Sequence, residues 1–67
     1  MTLKTFVNTH RHLLNMTRKE FCYQSGFNHT AFYRIEAGEC ENPKLSILRG
    51  VAAAFKVSPA FIVRNLD

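Results

Sequence analysis

Four side chains in the segment NHTAFYRIEAG, residues 28–38, can each donate a hydrogen bond: His29, Thr30, Tyr33 and Arg34. Wound as a helix, the segment sets Ala31, Phe32 and Ile35 on one side and those four on the other. No acidic residue interrupts the outer face before Glu36. Such a face suits a partner rich in acceptors. Arg34 can give two parallel bonds to O6 and N7 of a guanine. His29 can donate to a guanine or offer either tautomer, which leaves its target open. Thr30 can bond a base or a phosphate, or lay its methyl on a thymine, and Tyr33 can reach a phosphate or stack beside a sugar. The alternative is an ordinary solvated surface, although such surfaces usually mix Glu with Lys and Arg.

The elements that must hold this face in place are helical throughout. Apolar residues recur at helical spacing, with no strand pattern and no repeat, and they predict an all-α domain of five helices over about 3–14, 18–25, 29–37, 44–55 and 59–66. Leu3, Phe6, Val7, His10, Leu13 and Leu14 form the stripe of the first helix, with Thr2 as its cap. Thr17 and Glu20 have the spacing of a capping box, flanked by Met16 and Phe21 as a hydrophobic staple. Asn28 caps the third helix between Phe27 and Phe32, and Ser58 caps the fifth, with Pro59 at its first position between Val57 and Ile62. Gly26 and Gly38 follow helical runs, where a left-handed residue closes the last turn. Leu45, Leu48, Val51, Ala52 and Phe55 give the stripe of the fourth helix, in which Gly50 costs about 1 kcal/mol relative to Ala.

Size and charge narrow the function. A chain of 67 residues is one domain, 1–67, with a small core. It has no room for both a DNA-sized partner surface and a deep substrate pocket. The net charge is +4 and the pI about 9.5, and the charge is unevenly placed. Lys4, Arg11, Arg18, Lys19 and Arg34 face only Glu20 in residues 1–34, whereas acids and bases balance in residues 35–67. That asymmetry points to a polyanionic partner. An ordinary basic surface is the bland alternative. No apolar run approaches the ~18 residues of a membrane span, and MTLKTFVNTHRHLL lacks the pattern of a signal peptide. The expectation is a soluble, cytoplasmic protein with no membrane contact.

Metal, redox and enzymatic chemistry are poorly supported. Cys22 and Cys40 are too few for a disulfide framework, and with His10 and His12 they have neither CxxC nor HxxxH spacing. No carboxylate pair, nucleophile–base spacing or phosphate-binding glycine loop is present. Neither a cofactor nor a metal is expected, and no residue is assigned a catalytic role. Cys22 is expected to fill a tight helix crossing and Cys40 to be exposed. His10 is read as a core or boundary residue and His12 as surface.

The pair of helices 18–25 and 29–37, joined at Gly26, has the layout of a helix-turn-helix, whose second helix enters the major groove by its N-terminal end. From Leu13 to Phe61 the chain resembles the Cro-type, lambda-repressor-like (XRE) family, on the segments RHLLNMTRKEFCYQSGFNHTAFYRIEAG and NPKLSILRGVAAAFKVSPAFI. The matching positions are Arg11, Thr17, Cys22, Gly26, Glu36 with Gly38, Pro43, Leu45 with Leu48, and Phe55 with Val57 and Ser58. The resemblance implies an internal salt bridge between Arg11 and Glu36. It places Arg18 where the family often has a Gln that braces a phosphate, and His29 at the first reading position, also often Gln. Those departures mean that no operator sequence carries over. Relatives often place Lys or Arg in the loop after the recognition helix; this chain has Glu39 and Glu41, with Lys44 beside them.

Together these readings predict a bacterial or phage-encoded, nucleoid-associated transcriptional regulator that binds a palindromic double-stranded DNA operator as a homodimer. His29, Thr30, Tyr33 and Arg34 would read bases, and Arg18, Lys19, Asn28 and Lys44 would hold phosphates. Val57, Pro59, Phe61, Ile62 and Leu66 would line the dimer surface, and Glu39 and Glu41 could meet RNA polymerase or another protein. Phage Cro proteins and restriction–modification controllers are built in this way. The rival reading is an antitoxin or other protein-binding adaptor with the same fold.

Overall fold

In the computed structural model, which describes residues 1–66, five helices follow one another with no strand among those residues. They are α1 (Leu3–Leu13), α2 (Arg18–Ser25), α3 (His29–Glu36), α4 (Leu45–Phe55) and α5 (Pro59–Asn65). Each boundary falls within a residue of the expected one, and the all-α expectation holds. No single helix among the described residues is long and apolar enough to cross a membrane.

Local chemistry explains where the helices begin. Thr17 Oγ1 accepts from the Glu20 N–H at 3.1 Å while Glu20 Oε1 accepts from the Thr17 N–H at 3.3 Å, a complete capping box. Asn28 Oδ1 accepts from Ala31 N–H at 2.8 Å and Ser58 Oγ from Phe61 N–H at 3.2 Å. Thr2 Oγ1 does the same for Thr5. Lys44 takes the cap position of α4 without a side-chain bond. Gly26 and Gly38 both close their helices at φ +79°. Two other left-handed residues were not anticipated: Asn15 (φ 52°) after α1 and Lys56 (φ 56°) after α4. Asn tolerates that region through its short polar side chain; nothing in the structure explains the use of Lys.

The core is aromatic. Phe21 of α2 is fully buried, with its ring centroid 5.5 Å from Phe32 of α3, 5.3 Å from Phe55 of α4 and 6.0 Å from Phe27. Leu3, Phe6, Val7, Ile35, Val51 and Ile62 complete the buried set around it. Helix α2 packs mainly on α4, and α1 on α3 and α4, so the outer side of α3 has no helix over it. The chain bends by 104° between α4 and α5, which folds Ile62 back beneath α4.

Three expectations fail here. Leu13 and Leu14 are exposed, since the chain turns away at Asn15 before they reach the core. Leu45 is also exposed, being the first residue of α4. The tight crossing of α2 and α4 is made by Gly50, not Cys22: a Cβ there would lie 2.5 Å from Cε1 of Phe27 and 3.1 Å from the Ser25 carbonyl oxygen. Cys22 is half-buried at the edge of the core.

Candidate nucleic-acid interface

Phe32 and Ile35 anchor α3 to the core, and that anchoring dictates what faces outward. His29, Thr30, Tyr33 and Arg34 are all exposed, with Tyr33 74% accessible. The four expected base-reading residues therefore share one free helix surface. Arg18, Lys19, Asn28 and Lys44 are exposed as well. Asn28 has a structural duty, because its Oδ1 is the cap acceptor of α3. The first N–H groups of α2 and α3 lie at the N-terminal ends that adjoin this face, where backbone donors and the helix dipole favour anions.

A groove runs between α2 and α3, lined by Arg18, Lys19, Cys22, His29, Tyr33 and Glu36 among others. One ion pair spans it. Arg18 Nε donates to Glu36 Oε2 at 3.0 Å, with the Arg18 side chain 69% exposed and that of Glu36 only 23%. Burial, and secondarily the Glu36 carboxylate, pushes the Cys22 thiol above its ordinary pKa of 9.0. The thiol is thus protonated at neutral pH and poorly suited to redox or nucleophilic chemistry.

The expected Arg11–Glu36 bridge is not formed. Arg11 is buried (8% exposed) and turns toward the α1–α2 loop, where Nη1 donates to the Met16 carbonyl at 3.0 Å. Its Nη2 lies 3.4 Å from His12 Nε2, which must be the acceptor because a guanidinium has no lone pair to offer. Glu36 instead meets the cation of α2. The resemblance alone had implied Arg11, but which arginine reaches Glu36 depends on how α1 and α2 cross.

The dimer surface also needs correction. Ile62 is fully buried in this chain's own core and is unavailable to a partner. Val57 and Leu66 are half-buried against the same core, and Pro59 is half-buried. Phe61, 39% exposed, keeps its expected availability, and Val63, 53% exposed and not anticipated, joins it on α5. A helical stripe identifies one apolar face but not whether the core or a partner takes it.

Other residues fall into place around this frame. His10 is half-buried, stacked on Phe6 at 4.1 Å and donating from Nδ1 to the Phe6 carbonyl at 3.0 Å, a boundary residue as expected. His12 is exposed, as expected, whereas Cys40 is half-buried rather than exposed. Glu39 and Glu41 are exposed; the Glu39 N–H bonds the Arg34 carbonyl at 3.0 Å and so closes the C-terminal end of α3. The acids thus follow the end of α3 opposite His29, about 12 Å away by the rise of an eight-residue helix. Tyr23 was missed: it is 84% exposed on α2, one turn beyond Lys19. Its signal was an aromatic residue lying off the core stripe of a short helix.

Compared with protein families, with characterised proteins and with solved structures, the chain gives no match.

Proposed function

We propose that this domain is a sequence-specific double-stranded-DNA-binding regulator that reads the major groove with α3 and acts as a homodimer on a palindromic operator. One observation carries the reading. Four donor side chains stand on the unobstructed face of a helix that follows a capped helix and a tight glycine turn, and the one acid beside them, Glu36, is paired with Arg18. A helix of that width fits the major groove, where base edges offer distinct acceptor patterns. Lys19 and the N-terminal amides of α2 and α3 serve the phosphates beside it. Glu39 and Glu41, beyond the far end of α3, would repel phosphates, so their loop points away from the DNA or meets a protein such as RNA polymerase. A single module reads few base pairs, and pairing through the exposed α5 residues Phe61 and Val63 would double the site. The setting that fits is a bacterial or phage-encoded regulator in the cytoplasm.

The test is selection of the purified protein against a random duplex library at two salt concentrations, with sedimentation measured alongside. A palindromic consensus, with half-sites about 10 base pairs apart, is expected from a dimer. Binding without any consensus, lost steeply with salt, would reduce the face to a basic surface. Retention of a protein partner in place of DNA would favour the adaptor reading, which draws on the exposed Leu13, Leu14 and Leu45.

A further inference from the structure

We infer, on the basis of that DNA-binding reading, that Arg18 reads a guanine and is held for this purpose by Glu36, rather than gripping a phosphate. The geometry of the pair points this way. Glu36 takes the Nε of Arg18 at 3.0 Å, which leaves both Nη groups of an exposed side chain to donate outward. A guanidinium fixed through Nε presents a planar fork of two parallel donors, the arrangement that O6 and N7 of guanine accept. Glu36 is the less exposed partner and belongs to α3, so it ties the fork to the helix that carries His29 and Tyr33.

Charge separates the two targets. A phosphate is anionic, and a carboxylate 3.0 Å from the guanidinium would repel it and cancel much of the attraction. Guanine's edge is neutral and rewards direction instead of net charge. A carboxylate-buttressed arginine therefore suits a base better than the backbone. Lys19, which has no acidic partner among the described residues, is the better phosphate residue of the two. Glu36 touches no base in this scheme and acts as a positioning residue.

The test uses the whole chain and the duplex selected by the wild type. Arg18→Lys keeps the charge and loses the fork. It should bind that duplex about tenfold or more weakly, lose the preference for one guanine per half-site, and keep the wild-type salt slope. Replacing that guanine with 7-deazaguanine, which lacks the N7 acceptor, should weaken the wild type and leave Arg18→Lys nearly unaffected. Glu36→Gln should lower discrimination at the same base while general duplex affinity stays level or rises, because an acid has been removed beside a polyanion. A merely structural Glu36 would lower both together, and that outcome would count against the assignment. Retention of the consensus by Arg18→Lys, with a salt slope flattened by about one in Arg18→Ala, would make Arg18 a phosphate contact and overturn the inference. If the wild type selects no consensus, the DNA-binding reading itself fails, a result distinct from either.

Discussion

The ring of Phe27 lies directly over the bare backbone of Gly50, so that a methyl group at residue 50 would sit 2.5 Å from Cε1 and 2.6 Å from Cζ. Gly50 lies inside α4 with no left-handed requirement of its own, and helix propensity alone would favour alanine there by about 1 kcal/mol. The contact reverses that preference. Phe27 leads into α3 and packs on Phe21, so moving its ring disturbs the turn that aims the donor face.

Gly50→Ala is accordingly expected to destabilise the domain by about 1–3 kcal/mol, the usual cost of overpacking. Phe27→Leu should recover part of this in the double mutant, because the smaller side chain vacates the space. Urea denaturation of the four proteins measures the coupling. A stabilised Gly50→Ala protein would show that the ring yields without cost.

Arg11 leads to a less intuitive expectation. Its guanidinium is buried, its Nε has no hydrogen-bond partner, and no carboxylate lies within ion-pair distance among the described residues. Burying a cation in this way costs free energy that the bonds to the Met16 carbonyl and to His12 Nε2 offset only partly. Arg11→Met keeps the length and apolar stem, and is expected to be as stable as wild type to within about 1 kcal/mol, or more stable. Arg11→Ala removes the packed stem as well, and should lose about 2 kcal/mol or more. Equal, large losses in both variants would mean that the charge itself is stabilising.

How far the sequence could be read follows from the range over which each feature is determined. The caps at Thr17, Asn28 and Ser58 are set by residues three positions apart, and each forms as expected. The free face of α3 was legible for a similar reason, since Phe32 and Ile35 leave only one way for a short helix to seat. Features decided by the meeting of distant elements were not legible. The resemblance paired Glu36 with Arg11, and only the crossing of α1, α2 and α3 selects Arg18. Gly50 looked like a weak point in α4 until Phe27 was placed on it. Lys56 ends α4 in the left-handed region without glycine or asparagine, so composition gave no stop signal there. Ile62 was read as a partner contact because periodicity says that a face is buried, not what buries it.

Cys22 carries a pH dependence with a definite sign. Burial, then the Glu36 carboxylate, holds its thiol above 9.0 in the folded chain, while the unfolded chain titrates at the ordinary value. Above 9.0 the folded state binds more protons than the unfolded one, so stability falls as pH rises. The slope sets in about a pH unit below 9.0, where the unfolded thiol begins to ionise, and vanishes well below that. Urea midpoints at about pH 8 and about pH 10 should therefore diverge more in wild type than in Cys22→Ala, which lacks the thiol. Parallel behaviour of the two proteins would show that the folded thiol titrates normally.

The donor face and the phosphate residues should separate in binding experiments. Arg34 stands on the exposed side of α3 with no acidic partner within ion-pair distance among the described residues, free to offer both Nη groups to a base. Arg34→Ala is expected to cost about 1–3 kcal/mol on the selected operator and to relax preference at one base pair. Lys19 is exposed at the start of α2 and has only its charge to contribute. Lys19→Ala should weaken all duplexes evenly and reduce the slope of log affinity against log salt by about one. Titrations of each variant on matched and scrambled duplexes, at several salt concentrations, distinguish the two patterns. If Arg34→Ala keeps the wild-type sequence preference, the outer face of α3 is not the reading surface, whatever its donors suggest.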